Sequence, residues 1–190
     1  MPDEAATLWL ARHGQTEWSR DGRHTGTTDL PLLPEGEAAA RALAERLAGD
    51  QFDLVLTSPL TRARHTAELA GFSDAQVEPD LVEWNYGAYE GLTTAHIRER
   101  DPGWTVWSEG VPEGETADEV ARRVDRVIAK ARAAGGATLL FGHGHCLRAL
   151  TARWLGQSVS EGRLYRLDTA TVSTLGYERE TPVILRWNAT

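Results

Sequence analysis

The run Leu8-Trp9-Leu10-Ala11-Arg12-His13-Gly14-Gln15-Thr16 decides the fold, because apolar and small residues without polar alternation give way abruptly to a cation, an imidazole and a glycine. A strand covered on both faces has no polar side to show, so it reads as a continuous apolar stretch. Gly14 lets the chain turn where a larger side chain would block a ligand. The strand therefore delivers Arg12 and His13 to the end of a sheet. Arginine at such a point favours an anion, and imidazole serves as base or nucleophile near neutral pH.

Working outward, Glu17 to Gly26 carries glycine and polar groups without a period and reads as a long loop beside the strand end. Pro34 opens a helix whose stripe is Ala40, Leu43, Ala44 and Leu47, with Gly49 as its stop. Leu54 to Thr57 is a second apolar strand. Ser58-Pro59 follows it as an N-cap and first-turn proline, and the helix runs to about Ala70 with Gly71 closing it. Glu83 to Glu115 is irregular, aromatic and glycine-rich, with a short helix from Thr94 to Arg100, and reads as an excursion over a site. Thr116 and Glu119 form a capping box ahead of Val120, Val124, Val127 and Ala131. Thr138 to Phe141 is a third buried strand, ending in Gly142-His143-Gly144-His145, and a helix follows from Cys146 to Leu155. The tail holds strands over Leu164 to Leu167, Val172 to Tyr177 and Val183 to Trp187, some of them antiparallel. Strands alternating with helices predict an α/β three-layer sandwich with a mainly parallel central sheet.

The chain has 190 residues, of which 41% are hydrophobic and 25% charged, in keeping with one domain over 1–190. A formal charge of −8 and a sequence pI near 5.3 argue against nucleic acid or anionic membrane as partner. Cys146 is the only cysteine, so no internal disulfide forms, and it reads as a small buried residue. Met1-Pro2-Asp3-Glu4 is acidic and lacks the features of a signal peptide, which points to the cytoplasm. The expected partner is a small molecule, with the chain a monomer or a homodimer. His143-x-His145 lacks a third ligand at convincing spacing, so neither a metal nor another cofactor is expected. His65, His96 and the pair Arg122-Arg123 read as solvated helix faces.

In a parallel sheet, residues at the ends of different strands meet in one crevice, which brings together Arg12, His13, Arg62 and His143. Two arginines and two histidines around one point suit a phosphate dianion. The sequence here resembles the histidine phosphatase superfamily, also called phosphoglycerate mutase-like. The resemblance rests on Arg12-His13-Gly14, Ser58-Pro59-Leu60-Thr61-Arg62-Ala63, Glu83 with Tyr86-Gly87 and Glu90-Gly91, and Gly142-His143-Gly144. Gly22-Arg23-His24-Thr25-Gly26 and Trp104-x-x-Trp107 resemble a subgroup that includes acid phosphatases and a sedoheptulose bisphosphatase.

The resemblance implies that His13 attacks phosphorus, and that Arg12, Arg62 and His143 bind the non-bridging oxygens. It makes Glu83 the general acid that protonates the leaving oxygen, then the base that activates water. Ser19, His24, Thr25, Trp84, Gly144 and His145 are expected among the substrate contacts, with Ser19 standing where many members of that superfamily have asparagine. Trp84 and Trp107 are expected in the pocket wall. Phosphomonoester hydrolysis is the expected reaction. Mutase-type phosphoryl transfer is the alternative, for which the short chain leaves less material, and a non-catalytic phospho-ligand module ranks below both.

Overall fold

The computed structural model describes residues 6–190, so the acidic start read above as no export signal lies outside the described residues. The strands are β1 (Thr7–Arg12), β2 (Leu54–Thr57), β3 (Gln76–Val77), β4 (Ala137–Gly142), β5 (Val172–Glu178) and β6 (Thr181–Ala189). Between them lie α1 (Glu17–Arg20), α2 (Pro34–Leu47), α3 (Thr61–Leu69), α4 (Thr94–Arg98), α5 (Ala117–Ala134) and α6 (Gly144–Trp154). Among the described residues the strands form one sheet of order β3-β2-β4-β1-β5-β6. The pairs β1–β4, β4–β2 and β2–β3 are parallel, whereas β5 runs antiparallel to both β1 and β6. Among the described residues no helix is long and apolar enough to cross a membrane.

Period-two alternation explains the three layers. Leu8 and Leu10 of β1, with Leu56, Leu140 and Leu175, face a core built with Val120, Val124 and Val127 of α5 and Leu147, Leu150 and Trp154 of α6. Ala11, Leu139 and Phe141 face the opposite way, onto Leu43 and Leu47 of α2 and Ala67 of α3. Burial on both sides is why these strands carry no polar face.

Three local expectations are corrected. The stretch 17–26 is not all loop, because Thr16 and Ser19 close a reciprocal capping box that starts α1. Ser58 does not cap α3, which begins at Thr61; Asp29 caps it instead, its carboxylate accepting from the Thr61 N–H at 2.9 Å and from the Thr61 hydroxyl at 2.7 Å. Leu164 to Leu167 forms no strand: a 3-10 turn ends at Leu164 and irregular chain follows. That chain's Leu167 carbonyl accepts a hydrogen bond from Arg12, while Trp187 and Asn188 of β6 hold its Arg166 and Asp168 by side-chain hydrogen bonds.

The turn after β1 is set by backbone crowding. A Cβ on Gly36, in the first turn of α2, would collide with the Gln15 carbonyl, and one on Gly14 would collide with the Gly36 carbonyl. Helix propensity alone says that Gly36→Ala stabilises α2. The crowding reverses the sign, and Gly36→Ala is expected to lower stability by about 1–3 kcal/mol and to reduce turnover by displacing the His13 turn. Thermal unfolding beside steady-state rates checks this; a more stable, fully active variant would show that the turn yields freely.

Candidate active site

The parallel ladder sets Arg12 opposite Gly142, so the residues that follow, His13 and His143, leave the sheet side by side with ring centroids 5.2 Å apart. The His13 N–H donates to the Gly142 carbonyl at 3.0 Å. Its ring Nδ1 lies 2.7 Å from the Gly14 carbonyl oxygen. A carbonyl only accepts, so Nδ1 carries the proton and Nε2 holds a free lone pair. Burial first, then the charges of Arg62 and Arg12, push the His13 pKa well below its ordinary 6.5. The imidazole is thus neutral and oriented. α3 fixes the turn, the Gly14 N–H donating to Thr66 Oγ1 at 3.0 Å.

Behind His13 lies a layer without solvent contact. Arg62 Nε–H donates to His143 Nδ1 at 3.1 Å, which requires the other nitrogen, Nε2, to be the protonated one in neutral imidazole. That Nε2–H donates to Ser58 Oγ at 2.7 Å. Burial, followed by the Arg62 charge, holds the His143 pKa well below 6.5. The other nitrogens of Arg62 donate to the carbonyls of Thr28, Thr25 and Gly26 at 2.9, 3.0 and 3.0 Å. Glu90 secures the same loop by accepting from the N–H groups of Gly26 and Thr28. Arg62 and His143 therefore touch His13's surroundings through charge and packing, while neither lines the cleft in front of it.

That cleft, about 180 Å³, opens where Arg12, His13, Glu83, Tyr86, His145 and Arg148 converge. Glu83 sits on the N-terminus of α6, where helix N–H groups lack internal acceptors. Its Oε1 accepts from the N–H of Trp84 and of Cys146, each at 2.8 Å, and its Oε2 from the His145 N–H at 3.0 Å. Oε1 has both lone pairs engaged, while Oε2 keeps one. Arg12 lies flat against Gly144, where an added Cβ would stand 3.3 Å from the guanidinium carbon. Its Nε–H is buried and has no hydrogen-bond partner among the described residues. Across the cleft the Tyr86 hydroxyl bonds His145 Nδ1. Burial raises the tyrosine pKa well above 10 and drops that of His145 well below 6.5, so the hydroxyl donates and His145 Nε2 bears its proton. Burial also lowers the pKa of His24 to about 4.

Several assignments change at this point. Trp84 is wholly buried, its indole N–H donating to the Glu115 carbonyl at 2.9 Å; it is a core residue and not a cleft wall. Trp107 also stays off the cleft lining, with Arg148 stacked 4.8 Å above its ring. Ser19 and Thr25 do line the cleft, but the Ser19 hydroxyl is engaged with Thr16 and that of Thr25 with the Arg23 carbonyl. Arg123, read as a solvated charge beside the exposed Arg122, is buried. Cys146 is buried as expected, its thiol pushed up to about 11 by burial. Sequence reasoning missed Ser58 as the partner of His143, and Tyr86, Arg148, Arg23 and Leu167 as cleft residues. Arg148 follows Gly144 by one helical turn, a spacing that points both to the same end of the site. No group of three or more His, Cys, Asp or Glu side chains among the described residues is placed to hold a metal ion.

The profile of the histidine phosphatase superfamily (branch 1) matches residues 8–190. The chain belongs to this superfamily. Among its histidine phosphatase relatives, an acid phosphatase of Mycobacterium tuberculosis is 40% identical over 175 residues, covering 90% of this chain and 86% of the relative. A sedoheptulose 1,7-bisphosphatase of Saccharomyces cerevisiae is 37% identical, covering 85% of this chain and 72% of the relative. The solved structure of a Mycobacterium tuberculosis open reading frame product superposes with a TM-score of 0.93 at 37% identity, over 97% of this chain and 98% of that one. These similarities support a phosphatase.

Four histidines held neutral, His13 and His143 buried and His24 and His145 partly so, give the histidine phosphatase fold an acid liability. Between the unfolded value near 6.5 and the lower folded values, the unfolded chain binds more protons, so stability falls as pH falls through that window. For His24 the window runs from 6.5 to about 4, and its share is about 1–3 kcal/mol. Calorimetry is expected to show the unfolding midpoint dropping from neutral pH into this window, and His24→Phe to make the drop shallower. A midpoint that stays level would contradict the neutral assignments.

Proposed function

We propose that this chain is a metal-independent phosphatase that hydrolyses small phosphomonoesters through a phosphohistidine on His13. The observation that carries the reading is the Nδ1–H bond from His13 to the Gly14 carbonyl, which leaves Nε2 unprotonated toward a cleft containing Arg12 and Glu83. Covalent catalysis by imidazole requires that free lone pair. The names of the acid phosphatase and bisphosphatase relatives support hydrolysis over transfer between hydroxyls. A cleft of about 180 Å³ suits a small ester whose alcohol part extends into solvent.

In the first step the Nε2 lone pair of His13 forms a bond to phosphorus as the bond to the ester oxygen breaks. The electron pair leaves with that oxygen, and Glu83 supplies a proton to give the alcohol. Oε2, with its uncommitted lone pair, is the oxygen that carries this proton. In the second step carboxylate Glu83 takes a proton from water, the water oxygen bonds to phosphorus, and the P–N pair returns to His13. Inorganic phosphate leaves. The unpartnered Nε–H of Arg12 and the N–H of Gly144, which has no acceptor within its helix, supply donors to the transferred group. Arg62 and His143 act from behind, Arg62 by adding its charge to the burial that keeps His13 neutral and His143 by packing beside its ring.

Quenching turnover of labelled substrate without acid is expected to trap phosphate on His13 through an acid-labile, base-stable bond. His13→Ala is expected to abolish trapping and turnover, chelators to leave the rate unchanged, and vanadate to inhibit. Label on Cys146 or a serine would refute the mechanism.

Leaving-group dependence separates the acid role of Glu83 from binding. In single turnover, Glu83→Gln is expected to slow phosphoenzyme formation from glycerol phosphate by about 10²-fold or more, and from nitrophenyl phosphate only a few-fold, because nitrophenolate departs without a proton. Equal losses would remove the general-acid role from Glu83.

A further inference from the structure

We propose that Arg123, through its ion pair with Glu115, is a positioning residue for Glu83: it grips the chain on both sides of that carboxylate and thereby fixes where the proton is delivered. The proposal rests on the general-acid reading of Glu83. Its basis is a closed set of contacts around a segment with no strand or α-helix to hold it. On the N-terminal side, Arg123 Nη1 donates to the carbonyls of Asp80 and Val82, at 2.9 and 2.8 Å. On the C-terminal side, Glu115 Oε2 accepts from the Asn85 N–H at 2.9 Å, and the Glu115 N–H donates to the Asn85 carbonyl at 2.9 Å. The two grips are joined by the ion pair itself, Arg123 Nε to Glu115 Oε1 at 2.7 Å and Nη2 to Oε2 at 3.0 Å. Glu83 lies between them.

The same guanidinium reaches the other wall of the carboxylate's seat. Nη1 approaches Cys146 Sγ at 3.4 Å, and it is the Cys146 N–H that holds Glu83 Oε1. Arg123 therefore spans the chain before Glu83, its partner spans the chain after it, and Arg123 itself meets the helix whose N–H groups receive the carboxylate. A lysine has one compact head and cannot bridge two carbonyls and a carboxylate in a plane. Glu115→Gln keeps an acceptor for Asn85 but loses the charge that pairs with Arg123.

A displacement of the acid by a fraction of the reacting distance costs rate where the proton is needed and little elsewhere. Arg123→Lys and Glu115→Gln are each expected to slow single-turnover phosphoenzyme formation from glycerol phosphate about tenfold or more, and from nitrophenyl phosphate less than about threefold. Adding Arg123→Lys to Glu83→Gln is expected to cause no further loss with glycerol phosphate, since a residue acting through Glu83 has nothing left to position. Circular dichroism and unfolding midpoints establish that each variant is folded, and either single variant suffices if the other is not. Equal losses for both substrates, unchanged rates for both, or additive losses in the double variant would overturn the proposal while Glu83→Gln alone keeps its contrast. Loss of that contrast in Glu83→Gln would instead remove the general-acid reading, and the positioning role with it.

Discussion

The parallel pairing of β1 with β4 is the constraint on which the site depends. Its register puts Arg12 beside Gly142, and so puts His13 beside His143 at the point where both strands leave the sheet. A slip by one residue would turn every side chain of β1 to the opposite face, burying Trp9 where Leu8 and Leu10 now pack. Because both faces are covered by helices, the cost of that slip falls on the core. The geometry of the His13 imidazole is thereby tied to the burial that stabilises the domain.

Proximity of this kind creates an electrostatic problem that the site solves by leaving its imidazoles uncharged. Two guanidinium groups already stand beside His13, and a third or fourth buried cation would lack both water and a counter-charge. His13 and His143 stay neutral as a result, His13 with Nδ1 pinned by a carbonyl and His143 with both nitrogens bonded, which fixes each tautomer. The condition that avoids the cost of burial is also the condition that nucleophilic attack requires. Positive charge for an anion then comes from arginine, which stays protonated whatever its neighbours.

β1, β2 and β4 were legible because double-sided burial leaves an apolar run, whereas the two-residue, exposed β3 left no such mark; α5 was legible because a capping box and its stripe are local signals. Ser58 shows where local reading stops. Ser-Pro ahead of a helix looks like a cap, yet the hydroxyl is taken by His143, 85 residues away, and the cap comes from Asp29. Trp84 was misplaced for the same reason: a tryptophan beside Glu83 carries no mark that says which way it points. Arg123 is different. It stands three residues after Val120 and four before Val127, both on the buried stripe of α5, so its spacing already placed it on the inner face. An arginine on an apolar stripe needs acceptors, and an irregular segment with unpaired carbonyls is where they are found.

That pairing of needs explains why polar contacts rather than apolar ones hold Glu83. Backbone outside helices and strands must find hydrogen-bond partners when buried, and side chains of leucine or valine offer none. A planar guanidinium paired with one carboxylate serves carbonyls and an amide together, in directions that packing alone does not specify. The remaining reference point is α6. Its N-cap is His143, its second and third N–H groups hold Glu83, and its first residue, Gly144, lies flush against Arg12. His13, Glu83 and Arg12 are all measured from one rigid helix end, and that end follows directly from the strand whose register placed His13.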